Sequence, residues 1–153
     1  MSDKPNMPYT QAVIHEVQRH SNMIPMLGTH LNTKEIDIKG NKIPAGTNLF
    51  GQLWSIQKND PVFHENHKFN PNRYLQADGK TFDKAVLEKT IPFSIGKRNC
   101  LGEGLARTEL FLIFSALIQK YEFVSNEIVD LSPVWGAVLT AKPYTCQLIP
   151  QMA

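Results

Sequence analysis

Cysteine is scarce in this chain: Cys100 and Cys146 are the two thiols in 153 residues. Two thiols make no disulfide framework and no C-x-x-C metal site, and their scarcity fits a reducing compartment. An excess of either charge is also missing. The formal net charge is +2, which argues against a nucleic-acid binder. No apolar run reaches the length of a transmembrane helix, and the polar N-terminal residues do not read as a signal peptide. Internal repeats and low-complexity tracts are lacking too. What is there is ordinary for a globular chain, 42% hydrophobic and 20% charged, and long enough for one domain with a core.

The most informative stretch is Phe93-Ser94-Ile95-Gly96-Lys97-Arg98-Asn99-Cys100-Leu101-Gly102. Gly96 frees the backbone to turn tightly, because it has no Cβ to clash. Arg98 puts a permanent cation two residues before Cys100, and Leu101 to Lys120 reads as a long helix that is apolar nearly all round. A thiol at a helix start beside a cation is favoured as thiolate, the form that binds metals. Gly102 lets something flat and bulky approach the first helical turn. The plainer alternative is a buried structural cysteine on a glycine-containing loop.

Upstream, Pro8 to His20 reads as a helix with Val13, Ile14 and Val17 as its apolar stripe. Glu16 and Arg19 lie three apart and share a face. His15-Glu16-Val17-Gln18-Arg19-His20 mimics a zinc-protease motif, but the second histidine comes one residue late. Five residues carry a helix about 140° past a full turn, so the two imidazoles diverge. Met23 to His30 is an unusually apolar connection, broken by Pro25. Ile36 and Ile38 alternate with polar neighbours, and Gly40-Asn41 followed by Lys42 to Phe50 predicts a β-hairpin with a primed turn. A polar stretch rich in Asn, Pro and His leads to Pro71-Asn72-Arg73-Tyr74. His64 and His67, within it, read as surface histidines. Lys84 to Thr90 reads as a short polar segment. Val138-Leu139-Thr140 and Tyr144 to Ile149 read as a second hairpin around Lys142-Pro143.

The pattern F-x-x-G-x-R-x-C-x-G, with Ala106 extending it, resembles the haem-binding loop of the cytochromes P-450. Glu16-x-x-Arg19 is similar to that family's E-x-x-R motif on its K helix. Pro71 to Tyr74 is similar to its P-x-R-F element, with Tyr74 where Phe is usual. The resemblance runs from about Met7 to the C-terminus. It implies a single incomplete domain over 1–153, mainly α with small antiparallel β elements (α+β). The expected parts are the K helix, a β-hairpin, the meander, the cysteine loop, the L helix and a terminal β-hairpin. The membrane anchor and the oxygen-activating I helix are expected to lie outside this chain.

By the same resemblance, Cys100 is the axial ligand of the iron in haem b (iron protoporphyrin IX), and thiolate donation favours O–O cleavage. Phe93, Gly96, Arg98, Gly102, Ala106 and His30 bind the cofactor, with Arg98 and His30 on its propionates. Glu16, Arg19 and Arg73 form a structural triad. Ile24, Met26, Leu27, Val138 and Leu139 line the substrate pocket. Lys97 and Arg107 offer positive charge to a reductase, or are ordinary solvated cations. The implied function is a microsomal monooxygenase that inserts one oxygen atom from O2 into an apolar lipid or xenobiotic. Its expected partners are NADPH–cytochrome P-450 reductase and cytochrome b5, at the cytoplasmic face of the endoplasmic reticulum membrane. Two other readings stay open: an inactive truncated chain serving as an interaction or regulatory protein, and a peroxide-rearranging haem-thiolate isomerase.

Overall fold

The computed structural model describes residues 2–151. Helix α1 (Pro8–Ser21) is followed by strands β1 (His30–Leu31), β2 (Ile36–Ile38), β3 (Asn41–Ile43) and β4 (Asn48–Leu49), then α2 (Leu53–Asn59). A long irregular stretch ends in a 3-10 turn at Pro71–Tyr74 and leads to α3 (Lys84–Lys89). The cysteine loop, α4 (Glu103–Lys120), β5 (Tyr121–Val124) and β6 (Gln147–Pro150) complete the order. Among the described residues three separate two-stranded antiparallel pairs form, β1 with β4, β2 with β3, and β5 with β6. The architecture is α+β.

Helix α1 does not bury its valines. Ala12, Glu16 and Arg19 are fully buried, whereas Val17 is 45% exposed. The expected apolar stripe is displaced because the charged pair is tied down from outside the helix. Glu16 Oε2 accepts from Arg19 Nε at 2.8 Å, and Oε1 accepts from Arg19 Nη2 at 2.8 Å. The same Oε1 takes the Asn70 backbone N–H at 2.9 Å and Arg73 Nε at 3.2 Å. The guanidiniums then reach main-chain carbonyls: Arg19 Nη1 to Gln57 at 3.0 Å, Arg73 Nη1 to His64 at 2.6 Å, and Arg73 Nη2 to Lys68 at 3.1 Å. Each carbonyl lies at a helix end or in the irregular stretch, where no ladder supplies a donor.

Beside this cluster lies the apolar core of Ala12, Phe63, Tyr74 and Val86, flanked by Val62, Leu75, Phe82 and Leu87. Tyr74 is completely buried. Its hydroxyl sits 3.0 Å from Thr90 Oγ1 and 3.4 Å from the His15 carbonyl, which satisfies the polar atom that Phe would lack. The Lys84–Thr90 segment is thus structural. It forms α3 because Asp83 caps it, accepting from the Ala85 and Val86 N–H groups, and it turns Val86 into the core.

The first hairpin turns one residue earlier than expected. Lys39 and Gly40 take positive φ values of 52° and 82°, so Ile38 faces Asn41 and Ile36 faces Ile43. Gly40 takes the second left-handed position, and Asp37 Oδ1 accepts its N–H at 2.8 Å. The terminal hairpin differs more. Gln147–Pro150 pairs with Tyr121–Val124, directly after α4, rather than with Val138–Thr140. Thr140 instead exchanges backbone hydrogen bonds with Val134. Pro143 has no N–H to give to a tight hairpin at that place, whereas β5 offers four residues in register.

Helix α4 buries Phe111 and leaves Leu105, Leu112, Ile113, Leu117 and Ile118 exposed. Its apolar surface exceeds what the rest of the described chain covers.

Removing one partner of the buried cluster strands the others. Glu16→Ala is expected to cost about 3–5 kcal/mol, read as a shift of the urea midpoint at unchanged slope. A second expectation concerns acid. Burial, then the nearby Arg107 and Lys4 charges, hold the His15 pKa down from 6.5 to about 4. Between those values the unfolded chain takes up a proton that the folded chain refuses, so stability falls as pH drops from 6.5 towards 4. His15→Phe keeps the stacking on Tyr74 and removes the titration. Its urea midpoint should therefore fall less than that of the unaltered protein between pH 7 and pH 4.5; parallel curves would refute the assignment.

Candidate haem-binding site

The cysteine loop is closed by its own backbone. The Cys100 N–H donates to Phe93 O at 2.9 Å, Asn99 N–H to Gly96 O at 3.2 Å, and Ser94 N–H to Ile91 O at 3.0 Å. Gly96 stands at φ 83°, where a Cβ would be strained, and Ser94 at φ 67° is held in the same left-handed region. Helix α4 begins at Glu103, three residues after Cys100, because Gly102 with ψ 4° serves as its N-cap. The Cys100 thiol is exposed. A Cβ placed on Gly102 would meet one neighbour within 4 Å, Cys100 Sγ at 3.8 Å, so the glycine keeps the ground beside the sulfur open. Ala106 is half-buried on the next turn, its N–H on Gly102 O at 2.9 Å. Arg107, from the same helix, is bonded to Glu103 Oε1 at 2.8 Å and lies 5.1 Å over the Phe93 ring.

Arg98 and His30, far apart in sequence, share one open cleft of about 530 Å³ with Leu27, Gly28, Thr29, Leu31 and Ser94. His30 Nδ1 lies 2.8 Å from Gly28 O, so this nitrogen carries the hydrogen. The segment before it is pinned from two sides. Leu27 N–H donates to Gly51 O at 2.8 Å, and Pro25 O accepts from Trp54 N–H at 2.9 Å. Asn32 fixes the far side: its Oδ1 accepts from Thr47 N–H at 2.6 Å and its Nδ2 donates to Pro44 O at 2.7 Å. Asn32, Gly51 and Ser94 escaped sequence reasoning, because a polar residue or glycine in a loop carries no periodic signal.

The other sequence-expected positions fall as follows. Glu16, Arg19 and Arg73 meet in the cluster described above. Of the five residues expected in a substrate pocket, Leu27 lines the cleft. Leu139 is buried, its N–H donating to Met23 O at 2.8 Å, so the two segments do come together. Ile24, Met26 and Val138 are exposed beside them. His15 stacks on Tyr74 while His20 lies edge-on to Phe69, so the two imidazoles have separate surroundings. His64 and His67 are exposed. Among the described residues no three His, Cys, Asp or Glu side chains gather as a metal cage.

An exposed thiol, a bare glycine beside it and two nitrogen-bearing side chains on one cleft suit a flat macrocycle that has a metal at its centre and carboxylates at its rim. The family model for cytochrome P450 matches residues 1–148, and the chain belongs to that family. It is 46% identical over 154 residues to human cytochrome P450 2D6, covering 99% of this chain and 30% of that protein. Cytochrome P450 2D19 of Callithrix jacchus is 42% identical over 154 residues, with the same coverage. Cytochrome P450 1A1 of Limanda limanda is 39% identical over 150 residues, 97% of this chain and 28% of the relative. The chain therefore spans less than a third of the length of these relatives.

The cleft wall gives a test. A Cβ on Gly51 would stand 2.7 Å from Leu27 Cδ1. Gly51→Ala is expected to push Leu27 into the cleft and to cost about 1–3 kcal/mol of stability. Leu27→Ala in the same protein should remove most of that additional loss, as read from urea midpoints in a double-mutant cycle.

Proposed function

We propose that this chain carries the proximal, haem-holding part of a haem-thiolate monooxygenase that oxidises apolar organic substrates, lipid or xenobiotic. The observation that supports it most is the exposed Cys100 thiol on a loop closed by its own backbone, with Arg98 and His30 on a common cleft. Haem, when bound, supplies the activation of dioxygen. Cys100 gives its thiolate to the iron. Arg98 donates charge-assisted hydrogen bonds to a propionate. The Nδ1 hydrogen of His30 is committed to Gly28 O. Its Nε2 is therefore the nitrogen left to face a propionate. Gly102 leaves room for the macrocycle. Leu27, with the neighbouring Ile24, Met26 and Val138, offers apolar surface to substrate. Electrons come from NADPH through a flavoprotein reductase, with cytochrome b5 as a second donor, at the endoplasmic reticulum membrane. No helix of the described residues is long and apolar enough to cross a membrane.

A second reading draws on the exposed α4 face: the chain holds no catalysis and serves as an interaction piece. Haem binding separates the two. In a mild non-ionic detergent that covers this face, the chain should take up haem. Its reduced carbon monoxide adduct should absorb at the long-wavelength Soret position of thiolate ligation. Cys100→His should move that band to the shorter wavelength of imidazole ligation. Survival of the long-wavelength band in Cys100→His would remove Cys100 as ligand, and failure to bind haem at all would favour the second reading.

A further inference from the structure

Arg107 was expected at the surface, as charge offered to a reductase or as an ordinary solvated cation. The structure gives it different company. Its Nε is hydrogen-bonded to Glu103 Oε1 at 2.8 Å, one helical turn earlier, and both side chains are about two-thirds buried, with 32% and 30% of their surface exposed. Its guanidinium lies over the face of Phe93 at 5.1 Å. Phe93 is the residue whose carbonyl accepts the Cys100 N–H at 2.9 Å. Three contacts thus run in series from the body of α4 to the backbone of the cysteine.

From this we infer that Arg107 is a positioning residue for the metal ligand: a cation clamped by Glu103 onto Phe93, which holds the cysteine loop closed against α4. The inference rests on the reading of Cys100 as ligand only for its consequence at the haem, not for the clamp itself. A guanidinium prefers this place because it stacks flat on an aromatic face while its Nε still bonds a carboxylate. Glu103 stands in the first turn of α4, where a carboxylate is also favoured by the helix dipole. The clamp works on the cysteine through geometry, by fixing the Phe93 carbonyl. It also works through charge, since a cation near the ligand side favours the more reduced, more negative state of the iron centre.

The clamp is tested in the haem-free and haem-loaded chain, both in mild detergent. In the haem-free chain, amide hydrogen exchange of Cys100 should quicken about tenfold in Arg107→Met, a loss in line with one cation–π contact. The Asn22 amide, bonded to Gln18 O at the end of α1, is the control and should not change. Arg107→Lys, which keeps the cation but not the planar fork, should recover part of the protection. In the haem-loaded chain, Arg107→Met should release haem about 10–100-fold faster and shift the reduction potential downward, with Arg107→Lys between it and the unaltered protein. Unchanged exchange at Cys100 in Arg107→Met overturns the clamp, whatever the haem measurements give. Faster exchange that Arg107→Lys does not reduce at all also overturns it, because the cation is then not what holds Phe93. If Cys100→Ser binds haem as the unaltered protein does, the ligand reading fails, while the exchange result still decides the clamp.

Discussion

One carboxylate organises this molecule. Glu16 is removed from water, and an uncompensated buried anion would cost several kcal/mol. Four donors meet it, from Arg19, Arg73 and the Asn70 main chain. The carboxyl is held below its ordinary range: burial alone would raise it, but the Arg19 hydrogen bonds, the Asn70 N–H and the charges of both arginines outweigh that. The two guanidiniums then direct their remaining N–H groups to carbonyls at the end of α2 and in the irregular stretch that follows it. The anion fixes the arginines, and the arginines give shape to chain that has no ladder. Lysine would not substitute, since its point charge lacks the planar fork that serves carboxylate and carbonyls together.

The Glu16–Arg19 spacing and the cysteine loop could both be read in the sequence, because their chemistry sits within a few consecutive residues. The burial of the pair could not be read from periodicity. Val13, Ile14 and Val17 make the better apolar stripe on paper, yet Val17 is nearly half exposed and Glu16 is fully buried. Tertiary partners 54 and 57 residues away overrule the local pattern. The same holds for Lys84–Thr90, whose polar composition hides three inward residues, Val86, Leu87 and Thr90, and one cap, Asp83. The terminal strands were misjudged for a related reason. Hydrophobic alternation shows that a segment is extended, but not which strand it meets, and β6 finds its partner immediately after α4.

At the candidate site the division is sharper. Cys100 and Arg98 were legible in one run of consecutive residues, and His30 through the family resemblance. The residues that hold them in place were not. Asn32 satisfies backbone groups on both sides of the β1–β4 pair, and Gly51 makes room for Leu27. Ser94 adopts a left-handed conformation that its sequence neighbours give no hint of. These positions act through main-chain hydrogen bonds and clearance, properties that are not encoded in one residue type.

The long reach of the ion cluster has a bearing on how the chain comes off the ribosome. Arg73 follows Glu16 by 57 residues. At about 5–20 residues per second of synthesis, Glu16 therefore precedes its distant partner by roughly 3–11 s. Throughout that interval α1 has Arg19 alone to neutralise its carboxylate, and its inward face must stay hydrated. Helix α1 is thus made before its partner and packed only after it. A codon-speed change or a nascent-chain binder acting on the stretch between Asn22 and Arg73 would alter the waiting time without touching any residue of the finished structure.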